Sequence, residues 1–196
     1  MTPEQPSESA PVIWTKDRIG KLLPHSGEFL LPDCVIISQE ERKATGFMRV
    51  PKNHITDGHF GVLPGVLQVE LAYQVLAVLE GAENPNMAGV ASSIRDVQFN
   101  VLAKVGDVVR VDVEVTTEDS PEQDGRLQAI ATLRILRDNT RASVMILGAV
   151  AMKTRLFERM IRPGCDAGMD QNTREALASL PPEVQAAIPS APSSVA

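Results

Sequence analysis

One imidazole and one carboxylate dominate the chemistry this sequence offers. His59 sits in Gly58-His59-Phe60, just ahead of Pro64-Gly65-Val66-Leu67, and Glu70 follows inside the apolar stretch those residues open. Between Asp57 and Glu80, Glu70 is the only charged residue. A helix that buries most of its surface rarely keeps a carboxylate without a partner or a task, because a buried unpaired charge is costly. An imidazole before such a helix and a carboxylate within it suit the movement of protons on and off a substrate held against apolar walls. Taken alone, Gly-His-Phe reads as a structural loop; the downstream Pro-Gly and Glu70 reverse that weighting. Gln74, one turn beyond Glu70, either orients its carboxyl or packs an interface, and Tyr73 could do either. His25 and His54 read as loop and surface residues. Glu70 could alternatively pair with an arginine across a dimer interface, a structural use of a buried acid.

The elements that must position these groups follow from local pattern. Pro64 to Leu79 predicts a helix that is apolar on nearly every side and therefore central. Its exceptions, Glu70, Tyr73 and Gln74, fall at i, i+3 and i+4 and share one face, where a substrate or another subunit could meet it. Lys16 to Leu23 predicts a short helix ended by Pro24. Phe29 to Ser38 and Arg42 to Val50 predict a hairpin, with a loop over Pro51 to Gly61. Further strands are expected over Ile94 to Val101, Val108 to Val115, Arg126 to Leu136 and Ala142 to Thr154. Val109, Val111 and Val113 alternate with Arg110, Asp112 and Glu114, so one face is buried and the other wet. Strands gathered around a single helix indicate an α+β fold rather than an alternating α/β one.

The chain has 196 residues and 43% hydrophobic content, which favours one well-packed domain. Residues 1–15 are expected as a loosely ordered arm, 16–157 as the domain and 158–196 as an appended tail with short helices. No apolar run reaches the roughly 18 residues a membrane span needs, and a cytoplasmic location is expected. Cys34 and Cys165 are the only cysteines and form no C-x-x-C, so both are expected as reduced thiols and no metal site is suggested. A net charge of −6 argues against nucleic-acid binding. Phosphate-binding, zinc-protease and α/β-hydrolase motifs are missing.

The sequence resembles the hotdog-fold β-hydroxyacyl-ACP dehydratases, the FabZ type more than the FabA type. The likeness runs from about Ile19 to Met152. It rests on Leu23-Pro24-His25, Phe29-Leu30-Leu31-x-Asp33, Gly58-His59-Phe60, Pro64-Gly65-Val66-Leu67-x-x-Glu70, Val97-Gln98-Phe99 and Val105-Gly106-Asp107. The resemblance implies a curved antiparallel sheet wrapped around one long central helix. It implies His59 and Glu70 as the catalytic pair, the backbone N–H of Gly65 as the donor to the thioester oxygen, and no cofactor. It also implies at least a homodimer, or an oligomer of dimers, with His of one subunit facing the acid of the other. Three departures stand out: only Gly61-Val62-Leu63 link G-H-F to P-G-V-L, three residues fewer than usual, Ser26-Gly27-Glu28 replace the family's Arg and aromatic-Pro pair, and the tail beyond Phe157 has no counterpart in the family.

The expected activity is removal of water from a 3-hydroxyacyl thioester, carried on acyl carrier protein, in fatty-acid or polyketide synthesis. His59 would take the C2 proton and a protonated Glu70 would assist loss of the hydroxyl. A hotdog thioesterase is the first alternative, and a non-catalytic acyl-binding or dimerisation partner the second. Lys153, Arg155, Arg159 and Arg162 form a basic cluster that either docks an acidic carrier or is a solvated face.

Overall fold

Seven strands in one antiparallel sheet and a long helix packed on it form the core of the protein in a computed structural model, which describes residues 11–38, 40–84, 87–118, 126–136 and 138–153. In chain order they are β1 (Val12–Thr15), α1 (Lys16–Leu22), β2 (Cys34–Ser38), β3 (Lys43–Arg49), α2 (His54–Asp57), α3 (Gly65–Glu83), β4 (Met87–Phe99), β5 (Val108–Glu118), β6 (Arg126–Ile135) and β7 (Thr140–Lys153). The sheet order is β1-β2-β3-β5-β6-β7-β4, with every neighbouring pair antiparallel. This is the expected α+β arrangement around one central helix. The chain divides into two compact units, 1–153 and 154–196. The basic cluster around Arg155 to Arg162, Cys165 and the tail helices lie outside the described residues.

Alternation decides which face of the sheet meets α3. Val109, Val111 and Val113 of β5 and Leu127, Ala129, Ala131, Leu133 and Ile135 of β6 are buried, and Arg110, Asp112 and Gln128 between them are not. From α3, Leu71, Ala72, Val75, Leu76, Val78 and Leu79 close the core, each large one contributing about 1.5–3 kcal/mol by burial. The helix lies so close to β3 that a Cβ on Gly46 would stand 2.3 Å from Val75 Cγ2. Only glycine fits there without moving the helix. Among the described residues no helix is long and apolar enough to cross a membrane.

Three elements depart from the sequence expectation. Val12–Thr15, placed by composition in the loose arm, pairs with Cys34–Ile37 as an edge strand. The strand expected from Phe29 begins only at Cys34, because residues 27–31 dock on the helix instead: Gln74 Nε2 donates to the Phe29 carbonyl (2.7 Å) and the Leu31 N–H donates to Gln74 Oε1 (3.0 Å). The expected loop over Pro51 to Gly61 contains α2, started by a capping box in which Asn53 Oδ1 accepts from the Thr56 N–H and Thr56 Oγ1 accepts from the Asn53 N–H. The Asn53-x-x-Thr56 spacing is a readable signal for that turn.

Candidate active site

The short link between His59 and the central helix is fixed by backbone bonds. At the end of α2, the N–H groups of His59 and Gly61 both donate to the Thr56 carbonyl, at 3.1 and 2.7 Å. The chain then reverses through positive φ at Phe60 (58°) and Gly61 (72°). Leu63 N–H donates to the Ala103 carbonyl (2.8 Å) and Val105 N–H to the Gly61 carbonyl (2.9 Å), so the link lies alongside the segment leaving β4. Three residues therefore suffice to bring His59 and the start of α3 to one cleft.

That cleft holds about 280 Å³ and is lined by His59, Leu63, Gly65, Gln68, Phe99 and Leu102, among others. Gly65 is the first residue of α3, after Pro64 with no side-chain cap. First-turn N–H groups have no intrahelical acceptor and stand at the positive end of the helix dipole, which suits an oxygen gaining negative charge. A Cβ on Gly65 would come within 2.9 Å of the Phe99 ring. Glycine thus keeps the helix start open while the ring packs over it.

Glu70 is held further along the same helix and does not line this cleft within one chain. Gln74 Nε2 donates to its Oε1 at 2.8 Å, so the expected orienting contact is present. The amide has no freedom left: its oxygen accepts from Leu31 and its nitrogen donates also to Phe29. That network decides which end of the amide faces the acid. Sequence reasoning missed one member of the cluster. His25, read as a surface residue, is half-buried and places Nε2 3.1 Å from the same Glu70 Oε1. Its Nδ1 is buried without a hydrogen-bond partner. Both neighbours contact Oε1 rather than Oε2. Tyr73 is used internally, donating to the carbonyls of Ser93 (2.6 Å) and Gly148 (3.1 Å), and burial, with the Glu70 charge, pushes its pKa above the usual 10.0. His54 pairs with Glu28 at 2.9 Å on the surface. Among the described residues no cluster of three or more His, Cys, Asp or Glu could hold a metal ion.

Among the described residues β4 is one of the two outer strands of the sheet, beside this cleft. Its residues 91–96 are exposed, and Phe60 and Val66 stand close by in sequence to the cleft residues with 98% and 74% exposure. An unpaired edge with exposed apolar side chains is a template for pairing with another chain.

No protein-family profile matches the chain. Over 123 residues it is 35% identical to 3-hydroxyacyl-acyl-carrier-protein dehydratase FabZ of Bacillus thuringiensis (strain Al Hakam), an alignment that spans 60% of this chain and 84% of that protein. The chain belongs to the FabZ dehydratase family. Solved structures agree on the fold. A mutant of the fluoroacetyl-CoA-specific thioesterase FlK superposes with a TM-score of 0.52 at 14% identity, covering 62% of this chain and 93% of that one. A hot-dog-like protein from Thermanaerovibrio acidaminovorans gives 0.51 at 14% identity, covering 61% and 87%. The protein is thus a hotdog-fold member of a family of acyl-thioester enzymes.

Proposed function

We propose that the protein is a 3-hydroxyacyl-thioester dehydratase that works as a homodimer, on chains carried by acyl carrier protein. The observation that carries this reading is the sharing of one cleft by His59 and the Gly65 helix start, with Glu70 oriented on the same helix by contacts to Oε1. His59 accepts the C2 proton of the substrate. Charge then builds on the thioester oxygen and is met by the Gly65 N–H, a donor worth about 3–4 kcal/mol in comparable sites. Glu70, entering the step protonated, gives its proton from Oε2 to the C3 hydroxyl, which leaves as water. The C2–C3 double bond forms as the C–H and C–O bonds break, and proton return from the imidazolium to the carboxylate restores the pair.

Pairing of two copies along the β4 edge would complete the arrangement. A cleft of about 280 Å³ is small for an acyl-pantetheine arm, and the facing copy would extend it. It would also bring a second Glu70 toward His59, which the Glu70 of the same chain does not join in the cleft. A cytoplasmic location goes with this reading.

Incubation of the purified protein with a 3-hydroxyacyl thioester, following enoyl absorbance and free thiol together, tests the reaction. Enoyl product without thiol release is expected, and His59→Ala lowers its rate by about 10²–10⁴. Thiol release without enoyl product would make the protein a thioesterase.

A further inference from the structure

A second amide on the central helix has an oxygen with no donor among the described residues. Gln68 is only 4% exposed, its Oε1 is buried without a hydrogen-bond donor, and its side chain lines the cleft shared by His59 and Gly65. It lies one helical turn after Gly65 and so on the same side of α3. Gln74, on the same helix, shows the usual state of such a group, with its oxygen and its nitrogen both engaged. A buried acceptor left unmatched is destabilising unless something else supplies the donor, and few are found in folded proteins.

We infer that Gln68 recognises the substrate's 3-hydroxyl, taking a hydrogen bond from its O–H through Oε1. This rests on the dehydratase reading for the identity of the ligand, but the orphaned acceptor itself does not. Near the reacting carbons of a 3-hydroxyacyl thioester the hydroxyl is the only hydrogen-bond donor; the thioester oxygen accepts and the alkyl chain does neither. An acceptor beside the Gly65 N–H therefore complements the substrate at two points, with the N–H for the carbonyl and the amide oxygen for the hydroxyl. Holding the hydroxyl by its hydrogen turns a lone pair of its oxygen outward, free to receive the proton from Glu70. The 2-enoyl product has lost that donor, so the contact favours substrate over product.

The test uses two pantetheine thioethers, one with a 3-hydroxyalkyl chain and one with the same chain lacking the hydroxyl. Neither has the carbonyl that acidifies C2, so neither reacts, and calorimetry reads binding alone. The protein should bind the hydroxylated thioether about tenfold more tightly. Gln68→Leu, and Gln68→Met as a second apolar replacement, should remove that preference while binding the deoxy thioether as before, which also reports that the fold is intact. No preference in the unaltered protein, or a preference that survives both replacements, overturns the assignment. Turnover separates the two ideas: dehydration with no hydroxyl preference overturns the role of Gln68 alone, and a Gln68-dependent preference without dehydration upholds it while overturning the reaction.

Discussion

Glu70 and Glu80 stand on the same face-rich apolar helix and have opposite kinds of partner. Glu80, whose side chain is 10% exposed, lies 3.1 Å from the Arg42 guanidinium, which also binds Glu83. Glu70, 34% exposed, faces the His25 imidazole and the Gln74 amide. A guanidinium stays charged at any ordinary pH and holds a carboxylate ionised. An amide and an imidazole impose no such fixed charge. The comparison teaches that a carboxylate in an apolar helix is read by its partner: Glu80 and Glu83 are clamped by a guanidinium, and Glu70 is held by an amide and an imidazole.

Removing the acid at one site and the acid's partner at the other breaks that comparison most sharply. Glu70→Gln should lower dehydration by about 10²–10⁴-fold, the range for a lost general acid, with little change in the denaturant midpoint. Arg42→Ala should do the reverse, costing about 1–3 kcal/mol of stability by removing the guanidinium beside the largely buried Glu80, while turnover at low temperature persists. Equal effects of both on turnover, or equal effects on unfolding, would remove the distinction.

Gln74 should show a mixture, since it orients the acid and also ties residues 27–31 to the helix. Gln74→Leu strands the buried Leu31 N–H and should cost about 1–3 kcal/mol. It should also slow turnover at saturating substrate more than it raises KM, because the misplacement falls on the reacting carboxyl. Urea unfolding and steady-state kinetics on one preparation separate the two losses.

Most of the scaffold could be read from the sequence, while the finer contacts of the candidate site could not. The valine alternation of β5 and the unbroken apolar run of α3 report burial directly, because side-chain direction in each element repeats with a fixed period. The expected end of α3 at Leu79 fell short of Glu83, since the last turn is held by Arg42, which no local pattern reveals. β1 and the first half of β4 escaped notice for a similar reason: each is an edge strand defined by pairing with a strand distant in sequence. His59, Gly65 and Glu70 were singled out by type and spacing. His25 was not, because its approach to Glu70 depends on residues 27–31 docking on Gln74. Gln68 gave no local sign, since only packing shows that an amide has been buried without a donor.

The smallest effect offers a direct report on the charge of Glu70. Tyr73 is the only tyrosine in the chain, so tyrosinate absorbance follows one group. Burial raises its pKa above 10.0 and the Glu70 carboxylate raises it further. Glu70→Gln should therefore move the native tyrosinate midpoint down, whereas Glu80→Gln should leave it in place. The same shift sets a pH dependence of stability. Below pH 10 both folded and unfolded chains keep the phenol proton; above it the unfolded chain releases it first, so stability falls as pH rises until the folded midpoint is passed. Cys34, also raised by burial and by Asp33, acts with the same sign from 9.0 upward, so the measurement belongs in a Cys34→Ala background. There, Tyr73→Phe should cost about 1 kcal/mol near neutrality through its lost hydrogen bonds, and flatten the alkaline decline. A native midpoint that ignores Glu70→Gln would mean that the carboxylate and the phenol do not sense each other.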